Sequence, residues 1–323
     1  MSTDYHFHKK PTPWLKWSAD LRQGNVREYM EDRIVLDSFT IDNCTIYVQA
    51  LLDGHGGSDV VEYVQKQLPI ALHHFMKEKS GVREAIHKTF VHLNQKVQGM
   101  EAGTTVSLLC LQHDKKKNKL RCYMANVGDS TVYGVKNAYA YRKYNSKKKR
   151  DKALKQESTV VRLSVDHKPE LVSEQKRMET HKKIYKGVDD GYVVNSNGHM
   201  LAMTRAIGDP DFGEVVSSEP YIRRLDTQYD IFILASDGLW DVMDHKKVWN
   251  EINDPKCLRA WKESAKRLND LRHSKFEQHD NTSLLLVYVD WEALAGTSGS
   301  DSSSVQVALK SEEPTCEDEK EKK

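Results

Sequence analysis

Carboxylates recur at one kind of place in this chain, the ends of short apolar runs. CTIYVQALL (44–52) ends in Asp53-Gly54-His55-Gly56-Gly57, LRCYMANV (120–127) in Gly128-Asp129-Ser130, and DIFILA (230–235) in Ser236-Asp237-Gly238. His279-Asp280-Asn281 directly precedes the last apolar run, and upstream Arg27 stands shortly before Glu31-Asp32. Taken singly, each acid reads as an ordinary turn residue, because Asp-Gly and Gly-Asp are common turn pairs. Taken together, carboxylates held at one end of a rigid core repel one another unless a cation neutralises them. Oxygen donors with no Cys and a single His nearby select hard ions such as Mg²⁺ or Mn²⁺. Two such ions would bridge a hydroxide and hold a phosphoryl oxygen, and Arg27 offers the planar fork that suits a phosphate.

The elements that must position these acids are visible as runs of β-formers bounded by turn residues: 44–52, 106–111, 120–127, 230–235 and 283–289. Residues 33–39 (RIVLDSF) alternate like a strand with one wet face, and DKKKNK (114–119) reads as a hairpin loop. Helices are expected at Ser58–Lys79 and Gly81–Gln98, the second carrying Val82, Ile86, Phe90, Leu93 and Val97 on one face. Pro69 should kink or divide the first. Two further helices are expected at His245–Ile252 and Lys256–Arg272, with Asp254-Pro255 opening the latter. Strands and helices cluster rather than alternate. That argues for an α+β layered domain of antiparallel sheets covered by helices, not a doubly wound parallel sheet.

The chain has 323 residues, 38% hydrophobic and 30% charged, as a soluble globular protein with polar segments would. No run approaches the ~18 apolar residues of a membrane span, so no membrane association is expected. The start, MSTDYHFHKK, lacks the apolar stretch of a secretory signal, and Ser2 in place of Gly argues against myristoylation. Five cysteines with no C-x-x-C pair support neither a disulfide framework nor a zinc ribbon, and a reducing compartment is expected. Charge is uneven. Residues 136–158 carry nine Lys/Arg against Asp151 and Glu157, and residues 311–323 carry six acids against three lysines. GTSGSDSSS (296–304) has nothing to bury, so the chain past Trp291 reads as a disordered tail. The first residues read as an arm.

At this point the chain resembles the metal-dependent protein serine/threonine phosphatases of type 2C, over roughly Trp17 to Trp291. Eight motifs in order carry the resemblance: R-E-Y-M-E-D (27–32), D-G-H-G-G (53–57), G-T-T (103–105), A-N-V-G-D-S (125–130), D-H-K-P (166–169), L-A-M-T-R-A-I-G-D (201–209), A-S-D-G-L-W-D-V (235–242) and D-N-T-S (280–283). The resemblance implies a four-layer α-β-β-α sandwich of two antiparallel sheets with a binuclear Mg²⁺ or Mn²⁺ centre at one end. It implies that Asp53 bridges the two ions and Gly54 offers its carbonyl. Glu31 helps hold one ion with Asp32 behind it, and Asp237 and Asp280 hold the other. Asp129 and Asp241 match the positions of a weaker third ion, Arg27 clamps the phosphate, and His55 is the general acid, with Asp129 a candidate to orient it. A metal-bridging hydroxide would then attack phosphorus in line, with phosphorylated proteins as substrates, no nucleic acid, and a monomer in the cytoplasm or nucleus.

This chain departs from the family pattern in two places. The basic segment 136–158 is inserted before D-H-K-P, and the flap segment Glu170–Asn197 carries His181-Lys182-Lys183 where relatives often have a small turn. The domain reading is therefore an arm (1–16), a catalytic domain (17–291) and a tail (292–323). Lys147-Lys148-Lys149-Arg150 could be a solvated loop, an import signal or a steering patch. His73, His74, His87 and His92 read as surface or boundary histidines, and Cys110 and Cys122 as inert core thiols. Two alternatives to an active phosphatase stand: a scaffold with this fold and little turnover, and a small-phosphoester hydrolase. The full acid set with Arg27 argues against the first.

Overall fold

The apolar runs become the central strands of two antiparallel sheets. The computed structural model describes residues 12–78, 81–139, 146, 148–149, 152, 158–253, 261–277 and 279–297. Its strands are β1 (Leu15–Arg22), β2 (Arg33–Ile41), β3 (Cys44–Leu52), β4 (Gly54–His55), β5 (Gly103–Thr104), β6 (Val106–Asp114), β7 (Lys119–Val127), β8 (Thr131–Lys136) and β9 (Thr159–Arg162). They continue with β10 (Tyr185–Asp189), β11 (Tyr192–Asn195), β12 (Met200–Leu201), β13 (Ile207–Gly208), β14 (Tyr221–Leu225), β15 (Ile231–Ala235) and β16 (Thr282–Val289). One five-stranded sheet has the order β1-β16-β15-β8-β9 and the other β14-β7-β6-β3-β2.

Side-chain alternation explains the layering. In β16, Leu284, Leu286 and Tyr288 face the helices Ser264–Lys275 and His245–Ile252, while Leu285, Val287 and Val289 face the other sheet. In β3, Ile46, Val48, Ala50 and Leu52 face the helices α1 (Asp59–Lys77) and α2 (Val82–Lys96), while Leu51 joins the core between the sheets. A strand buried on both faces must be apolar at nearly every position, which is why these runs looked continuous rather than alternating. Helix, sheet, sheet and helix form four layers, as expected. Ile86, Phe90 and Leu93 of α2 are buried. Leu15 opens β1 inside the stretch read as an arm, and Trp14 beside it is buried edge-on to Tyr47 and His113.

Several expected boundaries shift. Pro69 does not divide α1; it is buried on the sheet-facing side of a continuous helix. Tertiary packing there outweighs a local cost of ~3 kcal/mol. Within the helix expected at Lys256–Arg272 the described residues form a 3₁₀ turn at Trp261–Glu263 and then a helix Ser264–Lys275; residues 254–260, with Asp254-Pro255 and Lys256, lie outside the described residues. The chain past Trp291 first forms a short helix, Trp291–Ala295. Trp291 Nε1 donates to the Tyr229 carbonyl, Asn118 Nδ2 donates to the Leu294 carbonyl, and Leu294 is buried. Residues 298–323 and most of the basic insertion lie outside the described residues. Among the described residues no helix is long and apolar enough to cross a membrane.

The flap is a small unit of its own. The helix Val172–Met178 and the sheet β10-β11-β12 enclose Met178, Val193, Met203, Ala206, Phe212, Val215 and Val216.

Candidate active site

Register alone brings the acids to one end of both sheets. Leu52 pairs with Arg33, so Asp53 lies beside Glu31-Asp32. Leu51 pairs with Ser107 and Val106 with Val127, so Gly128-Asp129 joins them. In the other sheet Ala235 pairs with Thr131 and Leu284, and Arg22 with Thr282. Asp237, Asp280 and the loop bearing Arg27 therefore close the same end.

Short polar contacts fix this end. Thr104 Oγ1 and the Thr105 N–H both donate to the Asp53 carbonyl, and the Asp53 N–H donates to Thr105 Oγ1. Thr105 Oγ1 also shares a hydrogen bond with Ser130 Oγ, next to Asp129. The G-T-T motif thus braces the two acid-bearing turns against each other. A Cβ on Gly54 would lie 2.7 Å from the Glu31 carbonyl, so that backbone approach requires glycine. Glu31 Oε1 accepts from the Gly57 N–H at 2.8 Å. Asn281 accepts from the Gly24 N–H and donates to the Tyr29 carbonyl, tying the Arg27 loop to Asp280.

The electrostatics are those of an unfinished site. Burial raises the Asp53 pKa well above the usual carboxylate range, and Asp32, Asp237, Asp129 and Asp280 raise it further. Asp237 is pushed up to about 8 by burial, then by Asp129, Asp280 and Asp241. Asp32 is pushed up to about 6, again first by burial. Both oxygens of Asp32 and one of Asp129 lie buried without a hydrogen-bond partner of ordinary geometry among the described residues; Ser283, Asp53 and Ser236 lie near enough to favour the Asp32 anion, and burial outweighs them. Unpartnered buried carboxylate oxygens are costly, and hard cations are their natural partners. The donor set therefore fits Mg²⁺ or Mn²⁺. As placed, no three of these groups converge to hold an ion by themselves among the described residues. Asp280 is turned onto Arg27, and Glu31 onto Gly57.

Arg27 was expected to grip phosphate. It instead holds both Asp280 oxygens, Nε to Oδ1 at 2.7 Å and Nη2 to Oδ2 at 2.7 Å. His55 also meets a different partner from the one expected. Its Nε2 lies 2.8 and 2.9 Å from the two Asp209 oxygens, and no Asp129 contact is made. Burial disfavours the imidazolium, but Asp209 foremost, with Asp129 and Glu31 farther off, outweighs this and raises the pKa above its ordinary value. Asp129 faces Lys168, whose Nζ is 3.5 Å from its Oδ2. Burial works against the Lys168 charge, but Asp129, then Asp241 and Asp237, raise its pKa. Asp241 caps the turn Asp237–Trp240, its N–H donating to the Asp237 carbonyl.

Asp209 and Lys168 were present in quoted motifs without a role. For Asp209 the available signal was an acid closing the apolar, glycine-ended run Ala206-Ile207-Gly208; Lys168, among Asp166, His167 and Glu170, carried none. The remaining expectations behave plainly. His73 lies tilted against Phe39, His74 lies edge-on to Phe75, and His87 pairs with Glu219. Burial pushes the Cys110 and Cys122 thiols up to about 12, so they stay protonated.

Known proteins match this chain over most of its length. The family model described as protein phosphatase 2C matches residues 19–272. The chain is 31% identical over 278 residues to a probable protein phosphatase 2C 28 of Arabidopsis thaliana, covering 84% of this chain and 73% of that protein. It is 27% identical over 248 residues to a protein phosphatase 2C homolog 1 of Schizosaccharomyces pombe, covering 74% and 63%. Among solved structures, a C. elegans sex-determining protein superposes with a TM-score of 0.67 at 20% identity, covering 87% of this chain and 67% of that one. A serine-threonine phosphatase 2C from Toxoplasma gondii gives 0.65 at 17%, covering 87% and 97%. At those identities the solved structures speak to the fold.

Proposed function

Because the chain belongs to the protein phosphatase 2C family, whose members are metal-dependent protein serine/threonine phosphatases, we propose that it hydrolyses phosphoserine and phosphothreonine in proteins at the acid cluster closing the two sheets. The observation that carries this reading is the set of buried carboxylates with pKa raised by burial and by one another, with both Asp32 oxygens and one Asp129 oxygen left without a hydrogen-bond partner among the described residues. Acids kept together in this way are stabilised by cations.

Asp53, the Gly54 carbonyl and Glu31 would hold one Mg²⁺ or Mn²⁺, and Asp53, Asp237 and Asp280 the other, with Asp32 behind them. Asp129 and Asp241 would hold a weaker third. Bound there, the ions supply neutralising charge for the acids and the phosphoryl group, and they acidify water to a nucleophile at neutral pH. The chain's own residues do the rest. Asp53 would contribute negative charge to both ion positions. The Arg27 fork, which spans two Asp280 oxygens, fits two phosphate oxygens equally well, and would orient the phosphoryl group if Asp280 turned to an ion. His55, whose acidic neighbours favour its protonated form, would give a proton to the departing serine or threonine oxygen.

The test is hydrolysis of a phosphothreonine peptide by the full chain with Mn²⁺, with Mg²⁺ and with chelator. Turnover with either ion and none with chelator is the expected result. Turnover undiminished in chelator would sink the reading.

A further inference from the structure

We propose that Asp209 is the positioning residue for His55, fixing the ring through Nε2 so that Nδ1 is the nitrogen presented to the leaving oxygen, and that Gly103 is the slot through which the two side chains meet. The proposal rests on the reading of His55 as the general acid.

The supporting architecture is a miniature sheet. Strands β4, β5 and β13 are two residues each and pair antiparallel, His55 with Gly103 and Gly208 with Gly103. Residues 154 apart in sequence are thus set on either side of one glycine. A Cβ built on Gly103 would overlap both His55 Nε2 and the Asp209 carboxylate. No other residue type leaves that passage open.

Asp209 itself is held in an uncommon conformation. Its φ and ψ are 55° and 51°, left-handed for a non-glycine residue, which costs of order 1 kcal/mol. Three backbone contacts impose it. The Asp209 N–H donates to the Ala102 carbonyl at 3.2 Å, the Phe212 N–H donates to the Asp209 carbonyl at 3.0 Å, and the Gly208 N–H donates to Asn94 Oδ1 at 2.9 Å. An Asp opening a 3₁₀ turn would ordinarily cap it. This one makes no side-chain cap bond to the Pro210–Val215 turn it precedes. Both of its oxygens go to His55 instead, and the carboxylate is only 6% exposed. A strained backbone that gives up its own cap to aim a carboxylate at one imidazole nitrogen points to a positioning role.

The consequence concerns which proton moves. With Nε2–H committed to Asp209, the other ring nitrogen remains. His55 Nδ1 has no hydrogen-bond partner among the described residues; it is covered as the chain stands, so the leaving oxygen meets it only when the groups over it part on substrate entry. In the transfer the Nδ1–H bond breaks, the new O–H bond forms on the serine or threonine oxygen, and the ring is left neutral with its hydrogen on Nε2 against Asp209. Without Asp209 the ring could turn or carry its hydrogen on the wrong nitrogen, and misplacement of that kind slows a step by about 10²-fold at most.

The experiment compares His55→Gln, Asp209→Asn and the double variant at saturating Mn²⁺, on a phosphothreonine peptide and on an aryl phosphate whose leaving group departs without a proton. Asp209→Asn is expected to lower kcat on the peptide by about 30-fold, to leave KM and the aryl phosphate nearly unchanged, and to add nothing further in the His55→Gln background. Asn tolerates the left-handed turn. Asp209→Gly, which relaxes that turn, is expected to show the same selectivity and keeps the test independent of backbone strain. Equal slowing of both substrates by Asp209→Asn and Asp209→Gly, or losses that multiply in the double variant, would overturn the proposal while His55→Gln remained selective. Equal slowing of both substrates by His55→Gln would remove the general-acid reading and this proposal with it.

Discussion

Glu174 and Asp53 are both buried carboxylates, and their surroundings differ in sign. Glu174, in the flap helix, accepts from Arg205 through Nε at 3.0 Å and Nη2 at 2.5 Å, from Arg177 through Nε at 3.2 Å and Nη2 at 3.0 Å, and from Thr204 Oγ1 at 3.0 Å. Burial opposes its ionisation, but Arg205 and then Arg177 outweigh this and hold it at about 2. Arg177 goes on to the carbonyls of Thr204, Glu214 and Val215, so one acid knots the flap to the segment leading into and out of Asp209. Asp53 has four acids for neighbours and a raised pKa. A carboxylate whose charge is answered within the chain is part of the frame. One surrounded mainly by other acids, with its pKa raised, is a candidate to meet its counter-charge in a ligand. Burial is common to both and so cannot tell them apart; the sign of the pKa shift can.

The sharpest way to break this comparison is to neutralise one acid of each kind. Asp53→Asn removes charge that two cations require and relieves repulsion among the remaining acids. Peptide turnover should fall by at least about 100-fold, while the melting temperature in chelator stays equal or rises. Near-normal turnover at saturating metal, or a large loss of stability in chelator, would place Asp53 with the frame.

Glu174→Gln should do the reverse. It leaves the Arg205 and Arg177 guanidinium groups without their anion, and losing one side of a buried pair costs about 3 kcal/mol. Chemical denaturation should show that loss, and limited proteolysis should open the flap first. Unchanged stability would mean that the knot is ornamental.

The two kinds of acid also part company with pH. Asp237 at about 8, Asp32 at about 6 and the raised Asp53 all sit above the ~3.9 of an unfolded Asp. Groups shifted this way stabilise the fold fully below pH ~4 and lose that contribution as pH rises through the folded values. Burial lowers His167 to about 4, which adds the opposite slope up to its unfolded value of ~6.5. Metal-free protein should therefore melt at progressively lower temperature between pH 6.5 and about 8.5, and added Mn²⁺ should raise the melting temperature more at pH 8 than at pH 5. Glu174, shifted to about 2, contributes above its unfolded value of ~4.3 and loses that only as pH falls toward 2. It adds no slope in this window. A melting temperature in chelator that climbs across it would contradict the acid-cluster assignment.

How much of this was legible in the sequence follows from the same distinction. Strands buried on both faces announce themselves as unbroken apolar runs, and acids at their ends stand out because the runs are so apolar. Asp53, Asp129, Asp237 and Asp280 were therefore visible before any coordinates. Asp209 was not, because its meeting with His55 depends on three two-residue strands, too short for any periodicity, and on a glycine that contributes only absence. Glu174 was hidden for another reason: an acid in a short polar helix looks solvated until Arg177 and Arg205 fold over it. The bond between Arg27 and Asp280 was likewise beyond pattern, since spacing shows which charges could meet and not which partner each takes. Pro69 misled because a local cost says nothing of the sheet packed against α1.

Lys168 sits between the two regimes and gives the smallest effect. Besides Arg27, its ammonium is a cation the chain itself supplies to the acid cluster, 3.5 Å from Asp129 and within the field of Asp241 and Asp237. It is also half exposed, so it answers their charge incompletely. Lys168→Met would take away a positive charge that helps the metal-free fold and repels an incoming ion. In a partly solvated cluster such a charge acts on a neighbouring cation by roughly 1 kcal/mol. The Mn²⁺ concentration giving half-maximal turnover should therefore fall about two- to five-fold, and the melting temperature in chelator should drop by a few degrees. Activity at saturating Mn²⁺ would change little, because Lys168 pairs directly with Asp129 alone and acts on Asp241 and Asp237 only through its field. A rise in the Mn²⁺ requirement would show that Lys168 belongs with Arg177 and Arg205, as a fixed partner on which the placement of Asp129 depends.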